Sequence, residues 1–257
     1  DVRSASAGSC PICRMALVPI PAPRLGEYRM DVSVVPARRG KGAAGLRLTV
    51  GDPDQPGRVP VLLTVHDKRL HLFVIGADLN YFAHVHPEPR ANGSFEIAQE
   101  LPAGEYMVVA DFLPAGGTPQ MVQRAIVTPG YDAGAHAVAP RAPQGSNSVS
   151  VEGVSAAFVK PALIAGQMAT LRLKLTDEQS HSLITDLEPY LSAPAHAVFA
   201  SADLTHVTHV HPQEQDAFGP YLSFDLLPAR PGPYKIWVQI QRHGRVLTFP
   251  LEMEVGK

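Results

Sequence analysis

"HLFVIGADLNYFAHVHP" (71–87) is written a second time, 125 residues on, as "HAVFASADLTHVTHVHP" (196–212), without a gap and with 8 identities in 17. All three histidines coincide: His71 with His196, His84 with His209, and His86 with His211. The central Ala-Asp-Leu and the closing Val-His-Pro coincide too, while their surroundings drift, as at Leu72 against Ala197 and Tyr81 against His206. At the same offset "GLRLTVGD" (45–52) aligns with "TLRLKLTD" (170–177). Further on, "LPAGEY" (101–106) matches "LPARPGPY" (227–234) once two residues are inserted. The chain is a tandem duplication.

Working outward, the repeats occupy residues 28–130 and 148–257, joined by a linker at 131–147 that is rich in Ala, Pro and Gly and has no periodicity. Within the first repeat, short apolar runs at roughly 31–36, 44–50, 59–65, 70–75, 81–86, 93–99, 105–112 and 120–127 are separated by turn residues. Long stretches of helical period are absent; even "PQMVQRAIV" (119–127), bounded by Gly-Gly and Pro-Gly, reads as a strand. That many strands in about 100 residues predicts an all-β chain: two tandem antiparallel β-sandwich domains of immunoglobulin or cupredoxin type, after a short N-terminal segment at 1–27.

Composition narrows the function. Hydrophobic residues are 45% of the 257 and charged residues 18%, enough apolar material for real cores. The formal charge is −2 with no block of one sign, which gives nucleic-acid binding no support. No apolar run approaches the roughly 20 residues of a membrane-spanning helix. Residue 1 is Asp and the first residues are small and polar, so no leader is read at this end.

The repeated histidines carry the chemistry. Residues two apart on a strand share a face, so His84 and His86 are expected side by side, and His71 on the preceding strand can converge on them. The same reasoning gives His196, His209 and His211 as a second set. Three neutral imidazoles suit copper or zinc and leave a coordination position open. Packing alone would let the histidines drift as their neighbours do; they do not. The expectation is one three-His site per repeat. Asp78 and Asp203 read as turn formers or as acceptors behind the ligands. Tyr106 and Tyr234 read as structural tyrosine corners. His66, His136, His181 and His243 have no counterparts and read as solvent-facing, and His206 matches Tyr81.

Two cysteines three apart, Cys10 and Cys13, cannot form a disulfide framework. With Met15 they offer thiolates and a thioether, a set that favours copper(I). The stretch "GSCPICRMALVPIP" (8–21) resembles the short heavy-metal-binding domain of periplasmic metal-efflux adaptors and copper-transport ATPases. Gly8, Cys10, Pro11, Cys13, Met15, Leu17, Val18 and Pro19 match its motif, and Arg14 replaces the usual Gly. The resemblance implies that a Cys-Pro-Met-His-Pro segment lay just before residue 1. The repeats, with "LPAGEYMVVADFLPAGG" (101–117) and "TDLEPYLSAPAHAVFASADL" (185–204), look like secreted bacterial β-sandwich proteins of copper and heavy-metal handling. These resemblances imply a periplasmic or secreted location and a metal-efflux or copper-delivery partner.

Three functions compete. The first is a non-enzymatic copper or zinc carrier, buffer or resistance factor. The second is a metalloenzyme with an open three-His centre. No general acid or base recurs, however: Glu88 becomes Gln213, and the later histidine of a cupin is missing from "LPAGEYMVVADF". No catalytic residue is assigned. The third is a structural or adhesive sandwich pair.

Overall fold

The computed structural model describes residues 8–9, 11–12, 14–16, 25–36, 44–99, 101–132, 146–159 and 162–257. In the first repeat, turns at Pro, Gly and Asp separate β1 (Arg29–Pro36), β2 (Ala44–Gly51), β3 (Leu62–Leu63), β4 (His71–Gly76), β5 (Phe82–Val85), β6 (Phe95–Gln99), β7 (Glu105–Pro114) and β8 (Gln120–Val127). The second repeat continues with β9 (Ser148–Val151), β10 (Val154–Val159), β11 (Leu163–Ile164), β12 (Ala169–Asp177), β13 (His196–Ser201), β14 (Val207–Val210), β15 (Tyr221–Leu226), β16 (Gly232–Arg242) and β17 (Arg245–Gly256). The expected all-β sandwich architecture is what forms, and the described residues include no α-helix. None has a helix long and apolar enough to cross a membrane. The expected strand at 59–65 shrinks to Leu62–Leu63, because Pro60 has no N–H for the ladder and Val65 is bonded to Lys68 in a tight turn.

Each repeat is two sheets over a core. Sheet β1-β2-β6 lies against β3-β7-β4-β5, with β8 added beside β7. Met30, Leu46 and Leu48 from one sheet meet Leu72, Val74, Val108 and Phe112 from the other. In the second repeat, β15-β12-β10-β9 lies against β11-β17-β16-β13-β14, over Leu173, Phe224, Phe199, Ile236 and Phe249. Tyr106 and Tyr234 are tyrosine corners, their hydroxyls donating to the carbonyls of Pro102 and Arg230, at 3.0 and 3.2 Å.

What positions the site is the packing of the two repeats on each other. Every residue of β4 and of β13 is buried, although an antiparallel strand with one wet face should alternate. Leu72 and Val74 point into the first core, so His71, Phe73 and Ile75 lie on the opposite face. That face is covered by the matching face of the second repeat: Phe73, Ile75, Leu79 and Val109 pack with Val198, Ala200, Val207 and Trp237 in one apolar cluster. Phe82 stacks on Trp237 across the interface, with centroids 4.6 Å apart and planes 7° from parallel. Two equivalent turns also meet there. His66 and Asp67 have φ of 47° and 62°, and Leu191 and Ser192 have 50° and 58°; two left-handed residues in succession make the turn type that suits a tight hairpin. The Ser192 hydroxyl donates to Asp67 Oδ2 at 2.7 Å. These residues are one another's repeat equivalents, so the contact marks an internal pseudo-two-fold relation.

Candidate metal centre

Register places the histidines. In the β4–β5 ladder Leu72 pairs with Val85 and Phe73 with His84, so His71 comes opposite His86 one step on. The β13–β14 ladder pairs Ala197 with Val210 and Val198 with His209, which sets His196 opposite His211. All six side chains therefore leave the faces that meet between the repeats. His71 Nδ1 lies 3.1 Å from His84 Nε2, and His86 Nε2 lies 3.0 Å from His84 Nε2. In the other set, His196 Nδ1 is 3.1 Å from His209 Nε2 and 3.0 Å from His211 Nε2. Such separations are near the roughly 3.3 Å between ligands of a tetrahedral ion with nitrogen at about 2.0 Å.

The outward nitrogens fix where the protons are. A backbone carbonyl only accepts, so His71 Nε2–H donates to Val65 O at 3.1 Å and His196 Nε2–H to Tyr190 O at 2.9 Å. His84 Nδ1–H donates to Gln239 Oε1 at 2.7 Å, whose own amide N–H donates to Thr248 Oγ1 at 3.0 Å. His209 Nδ1–H donates to the Asp111 carboxylate at 2.6 Å. The inward nitrogens, His71 Nδ1 against His84 Nε2 and His196 Nδ1 against His209 Nε2, face each other at 3.1 Å. The arrangement calls for a cation between them, with its ligands already oriented from behind.

Burial favours the neutral form of His71, His84, His86, His196 and His211. It holds His84 and His211 down to about 2, with the imidazoles of His86 and His209 respectively the next cause. His86 is lowered to about 4 by burial, then by His71 and the Lys68 ammonium. His196 is lowered further still by burial, then by His211 and His209. Burial also lowers His71, opposed by its bond to Val65. Metal ligation needs this deprotonated form at neutral pH.

The expected set of His196, His209 and His211 forms, whereas the other group takes His196 in place of His86. The histidines whose ligating atoms lie within 4.8 Å of one another are His71, His84 and His196, and again His196, His209 and His211. The first group crosses the interface and His196 belongs to both. His71 stacks on His196 with centroids 5.7 Å apart. The reason is the apolar outer face of each inner sheet, which buries itself against its copy and brings the two histidine sets together. The bonds that orient them cross as well: Asp111 of the first repeat serves His209, and Gln239 of the second serves His84. Asp111 and Gln239 are equivalent, as the ladder partners of His71 and His196.

Sequence reasoning missed both of these, since each stands in a strand without histidine and its role appears only across the interface. It also set aside His66 as solvent-facing. His66 is half-buried and packs on His211 with centroids 3.9 Å apart; its repeat equivalent is Leu191, so the comparison that found the other six histidines discarded it. A pocket of about 370 Å³ opens beside the cluster, lined by His71, His209 and His211 together with His66, Lys68 and Arg69.

Among the described residues, no other candidate belongs to the histidine groups. Asp78 and Asp203 are turn formers, accepting from the backbone N–H of Asn80 and Thr205, each at 3.0 Å. His181 and His243 are exposed, and Glu88 is exposed. Cys10, Cys13, His136 and linker residues 133–145 lie outside the described residues. Met15 is exposed, next to a bridge of Ser9 with Ala16. Arg14, where the motif has Gly, has φ of 60°, the left-handed region that favours glycine.

The second repeat matches a family model. That model, described as Domain of unknown function (DUF8832), covers residues 149–257. No curated protein matches the chain in sequence. Among solved structures it is similar to FdeC, a broadly conserved Escherichia coli adhesin, at 16% identity and a TM-score of 0.28, over 91% of this chain and 66% of that one. It is also similar to dimeric latent PorU from Porphyromonas gingivalis, at 12% identity and a TM-score of 0.25, over 90% of this chain and 20% of that one. The chain thus spans less than two thirds of the length of either.

Proposed function

We propose that this protein binds copper at the histidine cluster between its repeats and acts in copper handling outside the cytoplasm, as a carrier, buffer or resistance factor. The observation that carries the reading is the set of inward imidazole nitrogens about 3 Å apart, their outward N–H groups held by Val65, Gln239, Asp111 and Tyr190. Neutral imidazole suits copper and zinc alike. The resemblance of the Cys10, Cys13 and Met15 stretch to heavy-metal-binding domains favours copper, supports the extracytoplasmic setting, and makes that segment the point of exchange with a metal-efflux or copper-delivery partner. The pocket beside His71, His209 and His211 favours a metalloenzyme as the second reading, because it gives a small molecule access to the centre.

The test is elemental analysis of chelator-treated protein after reloading with copper or zinc and dialysis. Retained copper that is lost in a His84→Ala/His209→Ala variant, with the fold intact by circular dichroism, supports the reading. A folded wild-type chain that retains neither metal sinks it.

A further inference from the structure

The six histidines do not form two sites that happen to be close. Resting on the copper-binding reading above, we infer that they form one chamber for two copper ions, joined by a small inorganic anion admitted from the adjoining pocket, with the His196, His209 and His211 side filled first.

Sharing follows from distance. His196 lies within ligand range of His71 and His84 and also of His209 and His211, and the His71 and His196 rings stack. An ion held by either group is therefore the neighbour of an ion held by the other. Imidazole ligands bring no negative charge to offset two cations, and among the described residues one carboxylate, Asp111, is bonded to the cluster, through His209. Two copper(II) ions so close repel strongly in a partly buried setting, so a charge-compensating ligand must lie between them. His196 has one inward nitrogen and serves one ion, so the second ion is left with His71, His84 and His86, whose facing nitrogens are separated by 3.1 and 3.0 Å. Three nitrogens per ion leave a coordination position on each. The pocket reaches histidines of both sets, and the ammonium of Lys68 and guanidinium of Arg69 line it against the single carboxylate of Asp111, a positive balance that draws small anions. Its size admits hydroxide, azide or a similarly small anion.

The order of filling follows from the one difference between the equivalent outer partners. Asp111 places a carboxylate behind His209, where Gln239 places a neutral amide behind His84. A carboxylate makes its imidazole the more basic ligand, so the first ion settles on the Asp111-backed side.

The experiment is a copper(II) titration of the full chain, stripped of metal, followed by electron paramagnetic resonance and total copper, with azide as the probe anion. The expected course is one mononuclear signal with the first equivalent. The second equivalent then removes most of that signal as the two spins couple, and the optical change with azide saturates at one azide per two coppers. Asp111→Asn should weaken the first ion by about ten- to a hundred-fold and leave the second within a few-fold. Saturation at one copper, two equivalents with additive uncoupled signals, or two azides per pair overturns the shared chamber while copper binding itself stands. An unchanged first affinity in Asp111→Asn overturns the order of filling. A folded chain that takes up no copper removes the binding reading and this inference together.

Discussion

Replacing Trp237 by Ala tests whether the docked repeats build the centre. Trp237 is 3% exposed, on the face of β16 that meets the first repeat. Its ring stacks on Phe82 at 4.6 Å. Truncating a buried Trp costs about 3–5 kcal/mol, of which the ring pair contributes about 0.5–1.5. A chain of this length loses about 2–4 °C per kcal/mol, so the melting temperature should fall by about 6–20 °C. The loss is on the interface rather than in the second core, so copper binding should fall with it: Gln239, two residues along on the same face, would no longer be held against His84. Calorimetry and a competitive copper titration read the two effects. Met168→Ala is the control, 70% exposed and in neither the interface cluster nor the histidine groups. A Trp237→Ala melt within about 2 °C of wild type, less than 1 kcal/mol would produce, together with unchanged copper affinity, would refute the coupling of docking to binding.

Acid should destabilise the metal-free protein. The folded-state values of His84 and His211, about 2, and of His86, about 4, lie below the ordinary 6.5. The unfolded chain therefore binds more protons, and the full stability present above pH 6.5 is lost as the pH falls through 6.5 toward those values. The slope is about 1.4 kcal/mol per pH unit for each ring kept neutral; melts between pH 7.5 and 4.5 that show no decline would contradict it. Gln239→Leu leaves the His84 Nδ1–H without its acceptor, at a cost of about 1–3 kcal/mol, and should weaken copper binding by about ten- to a hundred-fold. An affinity equal to wild type by titration would show that the amide does not orient the ligand. Tyr234→Phe removes the bond to Arg230 O and should cost about 0.5–1.5 kcal/mol in denaturant unfolding with copper binding unchanged; a changed affinity would mean that the corner supports the site.

Much of this was legible in the sequence because it is local. Turn residues and apolar runs determined the strands, the 125-residue repeat exposed the duplication, and the period of two set His84 and His86 on one face with His71 across the ladder. The Tyr106 and Tyr234 corners and the Asp78 and Asp203 turns were equally readable, since their partners lie within a few residues. What no local rule contains is the covering of β4 and β13 on both faces. The run "HLFVIG" (71–76) is apolar beyond what one core requires, and only the tertiary structure decides that its second face closes on the other repeat. That closure puts His196 within reach of His71 and His84. It turns Asp111 and Gln239 into partners of histidines 98 and 155 residues away, and swings His66 onto His211. Strand geometry chose the ligands within each repeat, and burial of the apolar faces between repeats made them one centre.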